Sequence, residues 1–212
     1  ESLYEQRNDY EIFMFLESDM HFTQKNLSYW LKHKDECIKN DSNLGFLRVE
    51  VSDFPFHDMY WVDLPRGRLS DSNLKDLWLS NRVIDNKKYL QVFSYWAGWI
   101  YDKSEFNKWT EEELFHLQNK IGQRHVIKHP HYKNKIPRLR KIAVENAAWG
   151  YHDPIFDRYK TSAALIPLVE EKMPEGCLVN HLAKNFLTSR KFSTYKIKDV
   201  FPPLQRDHGP SY

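Results

Sequence analysis

The chain has 212 residues, with 31 Lys and Arg against 29 Asp and Glu and a formal net charge of +2. A hydrophobic share of 41% with 15% aromatic residues excludes a disordered chain, and the near-neutral balance speaks against a dedicated nucleic-acid binder, which carries a basic excess. No apolar run reaches the ~20 residues of a membrane helix; Cys37 and Cys177 alone cannot build a disulfide scaffold; and the 7 glycines form no cluster that would cradle a phosphate.

The chain starts at Glu1 rather than Met, and no signal peptide is visible. A trimmed N-terminus or a longer parent protein is expected, with a cytoplasmic or membrane-peripheral location and no membrane span. Residues 1–201 are read as one catalytic-type α/β domain, and 202–212 as a polar C-terminal tail.

Ile12 to Leu16 is a continuous apolar run of strand length, expected to be buried on both faces as in a parallel sheet. Thr23 is the predicted N-cap of a helix through about Lys34, with Leu27, Trp30 and Leu31 on one face. Asn43 to Val51 alternates around Phe46, Arg48 and Glu50 and predicts a second strand. Met59 to Val62 and Lys88 to Phe93 are further strand candidates by aromatic and β-branched content. Residues 64–87 read as a polar surface excursion. Thr110 to Glu113 has the form of a capping box opening a helix with Leu114, Phe115 and Leu117. A basic, histidine-rich loop follows from His125 to Lys135. Pro137 and Gly150 bracket another helix, and Ala163 to Ile166 predicts a short strand. Interleaved strands and helices give an α/β class.

The most informative stretch is Glu17-Ser18-Asp19, directly after the first apolar run. Open α/β sheets bind ligands beyond the carboxyl ends of their strands. Glu17 and Asp19, two apart, point the same way on an extended backbone. Two hard oxygen donors suit Mg²⁺ or Mn²⁺, which also hold phosphate oxygens. The alternative is a solvated acidic turn.

An apolar strand, an acidic triplet and a following helix with Tyr29-Trp30 resemble the DxD region of GT-A-fold glycosyltransferases. Phe93 to Asp102, with Trp96, Gly98 and Trp99, is similar to their glycine-containing acceptor-side segment. Val144 to Gly150 falls where many such enzymes carry an acidic base, and Cys177 to Leu182 resembles the late segment whose histidine completes a metal site. The triplet begins with Glu where that family usually has Asp. Only Glu1 to Asp9 precede the strand, so the nucleotide-binding half is expected to be missing, truncated or supplied from upstream.

The resemblance implies a mixed, mostly parallel central sheet flanked by helices, GT-A-like and incomplete. It implies a metal-dependent hexosyltransferase-like enzyme moving a sugar from a nucleotide-diphosphate donor to a glycan or other hydroxyl acceptor, with Mn²⁺ or Mg²⁺ as cofactor. Asp19, Glu17 and His181 would hold the metal. Glu17 would also touch the donor, and Trp96, Gly98 and Trp99 would line the sugar site. Glu145 would be the base if the enzyme inverts, with Asp102 a second catalytic carboxylate. His152 and Asp153 are a rival metal or base pair.

Each assignment has a structural alternative: core tryptophans beside a tight turn, a surface Glu145 on an alanine-rich helix, and a hydrogen-bonded structural His181. Two further functions compete with the transferase. One is a non-catalytic sugar- or protein-binding module. The other is nucleic-acid binding through the basic segment 125–141.

Overall fold

The computed structural model describes residues 3–40, 42–53, 58–65, 79–93, 96–111, 163–183, 187 and 192–205. The predicted helix 137–150, the basic segment 125–141, Glu145, His152 and Asp153 lie outside them. The described chain divides into two compact units: residues up to Glu17 with those from Ala97 to Glu111, and Ser18 to Trp96 with those from Ala163 onward.

In the first unit, β1 (Ile12–Leu16) pairs antiparallel with β8 (Gly98–Asp102), Phe15 opposite Trp99. β1 is not buried on both faces, as its apolar run predicted. Phe13 turns inward against Trp99, Tyr101 and Phe106, whereas Ile12 and Met14 are 42% and 43% exposed. The reason is the period of two in a strand, which sends alternate side chains to opposite faces. The helix Lys103–Glu111 follows β8 directly. Asp102 caps it: Glu105 N–H donates to Asp102 Oδ1 at 2.8 Å, and Asp102 N–H to Glu105 Oε2 at 3.1 Å. This reciprocal box lies eight residues before the one predicted at Thr110. Thr110 instead sits buried in the last turn, its Oγ1 donating to the Asn107 carbonyl.

The second unit holds a five-stranded sheet in the order β12-β5-β4-β11-β2 and a four-stranded sheet in the order β3-β9-β7-β6. Their strands are β2 (Met20–His21), β3 (Asn43–Leu44), β4 (Leu47–Val51), β5 (Met59–Pro65), β6 (Leu79–Ile84), β7 (Lys87–Phe93), β9 (Ala163–Pro167), β11 (Leu178–His181) and β12 (Phe192–Lys196). Only β4–β11 and β3–β9 pair parallel within these two sheets; every other pair is antiparallel. This overturns the expectation of a mostly parallel sheet flanked by helices. Parallel neighbours need a long crossover for each strand, whereas β6 and β7 join through the two-residue turn Asp85-Asn86, with φ of 50° and 62°. The supposed surface excursion 64–87 therefore contains a strand. A separate parallel pair joins β10 (Met173–Pro174) to β13 (Leu204–Gln205), which gives the first part of the expected polar tail a place in a sheet.

Helix α1 (Gln24–Lys39) begins at Thr23 as predicted, with a capping box between Thr23 and Asn26. It runs past Lys34 and buries Asn26, Tyr29, Trp30 and Cys37, while Leu31 is 53% exposed. Burial holds the Tyr29 hydroxyl and the Cys177 thiol well above their ordinary titration ranges. Among the described residues no helix is long and apolar enough to cross a membrane.

Two predictions follow from local energetics. Glu170 and Glu171 close the tight turn between Val169 and Lys172 with φ of 51° and 63°. Left-handed backbone suits Asn and Gly there, not Glu. Replacing Glu170-Glu171 by Asn-Gly should stabilise the fold by about 1 kcal/mol, raising Tm by roughly 2–4 °C. The exposed Lys88–Glu171 ion pair lost in the exchange is worth less than that. An unchanged or lower Tm would show that the turn carries no strain.

Asp58 sits between Lys196 Nζ at 2.8 Å and Lys198 Nζ at 2.9 Å, and these bonds hold its carboxyl below the usual range. A depressed carboxylate adds stability above its unfolded pKa of ~4 and loses it as pH falls through the lower folded value. Asp58→Asn should therefore be less stable than wild type at neutral pH, and the two acid-unfolding curves should converge at low pH.

Candidate functional site

The site grows from the middle of the five-stranded sheet. In β4, Leu47 and Val49 face one side, and Arg48 and Glu50 the other. All four are buried, so the charged half of this alternation is not a solvent face. Parallel β11 sets Val179 beside Arg48 and carries His181 further along toward the level of Glu50. Antiparallel β2 then pairs Met20 with His181, which brings the preceding turn residue Asp19 to the end of β11.

Three side chains meet there. His181 Nδ1 lies 2.6 Å from Glu50 Oε1, and His181 Nε2 lies 3.0 Å from Asp19 Oδ2. Glu50 is fully buried and the His181 side chain nearly so, whereas the Asp19 side chain is 38% exposed. The second Glu50 oxygen accepts the Leu187 N–H at 2.8 Å, and the Leu182 N–H donates to the Asp19 carbonyl at 2.8 Å. Two ionised carboxylates on one imidazole call for two N–H donors, which only the protonated ring has; a neutral ring serves one carboxylate and keeps a lone pair on its other nitrogen.

The expected partners Asp19 and His181 are thus adjacent, although 162 residues separate them in the chain. Glu50 was not foreseen as a site residue. The signal for it was present: a strand whose polar half pairs Arg48 with Glu50, two opposite charges two residues apart between apolar neighbours.

The other predicted residues fall elsewhere. Glu17 belongs to the first unit, where its N–H donates to the Ala97 carbonyl at 3.1 Å. Asp102 is a helix cap, engaged with Glu105. Gly98 opens β8 opposite Leu16, and Ala97 just before it has a φ of 66°. Trp96 and Trp99 are 4% and 6% exposed and belong to different units. Trp96 packs on Phe22 and Phe46, and Trp99 on Phe15, Tyr101 and Phe106. Their burial matches the core alternative given above.

A divalent cation has two candidate donors here, Asp19 Oδ2 and His181 Nε2. Among the described residues no three His, Cys, Asp or Glu side chains converge as a metal site. Glu50 cannot be a third donor to the same point, because it binds the opposite nitrogen of the ring. Two protein donors fit a cation shared with substrate phosphates, which supply the remaining oxygens, and do not fit a closed protein cage. A carboxylate on the far nitrogen of a ligating histidine is the usual support for such a ligand.

No protein family matches this chain, and no curated protein and no solved structure matches it.

His181→Ala strands a fully buried carboxylate and should cost about 3–5 kcal/mol. Asp19→Ala removes a half-exposed partner and should cost no more than about 1 kcal/mol. Urea unfolding of the two variants measures the difference; equal losses would mean that Glu50 does not depend on the imidazole.

Proposed function

We propose that this chain is a metal-dependent glycosyltransferase that moves a sugar from a nucleotide-diphosphate donor to a hydroxyl acceptor. The observation that supports it best is the meeting of Asp19 and His181 at 3.0 Å, from two segments whose resemblance to the acidic triplet and the late histidine of such enzymes is independent of this contact. The enzyme class rests on that pair and does not require a mostly parallel sheet.

In this reading Asp19 and His181 hold the cation, Asp19 through its exposed carboxylate and His181 through Nε2. A divalent cation bound there would neutralise the diphosphate as it leaves the sugar. Asp19 lies at the solvent side, where a donor can reach it, and His181 is held from behind by Glu50. The acceptor oxygen bonds to the anomeric carbon as the bond to the diphosphate breaks, and the hydroxyl proton passes to a carboxylate. Glu145 is the expected base and lies outside the described residues.

A second reading has a specific observation in its favour. His181 is held through Nδ1 by the buried Glu50, and as a neutral ring whose Nε2 exchanges the exposed Asp19 for substrate it would serve as a metal-free general base. A chelator separates the two readings.

Calorimetric titration of Mn²⁺ in the presence of a nucleoside diphosphate tests the first. Wild type should bind the cation, and Asp19→Ala should bind it far more weakly. Transfer from a panel of nucleotide sugars should fall at least ~100-fold in kcat, the scale of losing one electrostatic stabiliser. Equal Mn²⁺ affinity in wild type and variant would remove Asp19 from the site. Activity that survives chelation would favour the metal-free base.

A further inference from the structure

We infer that Glu50 is the positioning residue of this site: it fixes the hydrogen of His181 on Nδ1 and so leaves Nε2 as the nitrogen that faces Asp19 and any ligand there. The inference deepens the functional reading above, but its central claim concerns the imidazole alone.

The argument rests on two contacts of one carboxylate. Glu50 Oε1 lies 2.6 Å from His181 Nδ1, and Oε2 accepts the Leu187 backbone N–H at 2.8 Å. An ionised carboxylate offers only acceptors, so Nδ1 carries a hydrogen whether the ring is neutral or, with Asp19 also accepting at Nε2, doubly protonated. Glu50 is fully buried, and a buried acceptor that loses its donor bears the desolvation penalty in full. Nε2 then points at Asp19, the exposed member of the trio. Burial thus divides the two carboxylates: Glu50 orients the ring, and Asp19 meets the ligand.

The same geometry makes one substitution diagnostic. Glu50→Gln keeps the shape but replaces one oxygen by an NH₂ donor. The Leu187 N–H demands an acceptor, so the amide oxygen must take that side. The NH₂ is then aimed at His181 Nδ1, which can accept it only as a lone pair. Nε2 is then the only ring nitrogen left to carry a hydrogen, which it donates to Asp19, and it is closed to a cation. The variant should therefore hold His181 as the Nε2–H tautomer and leave the fold in place.

The test is ¹⁵N nuclear magnetic resonance of histidine-labelled protein, with His181 assigned by its loss in His181→Ala or, if that variant does not fold, in His181→Gln. Wild type should show hydrogen on Nδ1, Glu50→Gln should show it on Nε2, and Glu50→Asp, still an acceptor, should restore Nδ1. A wild-type His181 without hydrogen on Nδ1 overturns the inference by itself, whether or not any variant folds. Hydrogen still on Nδ1 in Glu50→Gln overturns it as well. Mn²⁺ with a nucleoside diphosphate then serves as the second probe: Glu50→Gln should lose roughly 10–100-fold in Mn²⁺ affinity. If Nδ1 loses its hydrogen in Glu50→Gln while wild type binds no Mn²⁺, the positioning role stands and the metal-dependent transferase reading falls.

Discussion

A carboxylate with no exposed surface must be hydrogen-bonded on both oxygens or it unfolds its surroundings. Glu50 is such a group, and the way its demand is met organises the centre of the second unit. One oxygen takes the imidazole of His181, the other the backbone N–H of Leu187. Three pieces of chain, β4, the end of β11 and the stretch after it, are thereby tied to one side chain. The cost of leaving any of them unmade is several times that of a surface ion pair such as Lys88–Glu171.

Meeting that demand requires β4 and β11 to lie side by side in a fixed register, and helix α1 supplies the fixing. The Asn26 side chain donates to the carbonyls of Gly176 and Leu178 at 2.8 and 2.7 Å, just where β11 begins. The Tyr29 hydroxyl donates to the Gly45 carbonyl at 3.0 Å, just before β4. One helix face thus holds the entrances of both strands. Gly176 is needed for this approach, because a Cβ there would lie 2.8 Å from the Lys25 carbonyl oxygen. Thr23 sets where the helix starts and so where Asn26 and Tyr29 fall along it.

Local chemistry was legible in the sequence; pairing was not. Thr23 announces α1 by a short-range rule, an oxygen side chain before an apolar periodic run, and the helix begins there. β5 and β7 announced themselves by aromatic and β-branched content in the same way. Strand direction depends on connections and partners far along the chain, and the mostly parallel sheet expected from an α/β pattern gave way to mixed sheets. The capping box shows the same limit at short range. Asp102-x-x-Glu105 and Thr110-x-x-Glu113 have the same form, and only the end of β8 selects the first. Within the site, Asp19 and His181 were found because each sits in a recognisable local segment. Glu50 was hidden because Leu-Arg-Val-Glu-Val reads as a strand with one wet face. The face is dry in the fold, where Arg48 and Glu50 are buried along with Leu47 and Val49, and no run of five residues encodes that.

The contrast between the two carboxylates explains why a site of this kind can exist at the end of a strand at all. A group that must exchange its partner for a ligand has to be affordable to uncover, and Asp19, on a turn and 38% exposed, meets that condition. A group that must hold a ring in one orientation through every exchange has to be shielded from bulk water, and complete burial gives Glu50 that property. His181 stands between them, Nδ1 on the buried Glu50 and Nε2 on the exposed Asp19. Had both carboxylates been exposed, water would compete for the imidazole on each side and its orientation would be lost. Had both been buried, no ligand would reach Nε2. The sheet edge resolves the conflict because β11 runs from the covered interior to its own last residue, and His181 is that residue.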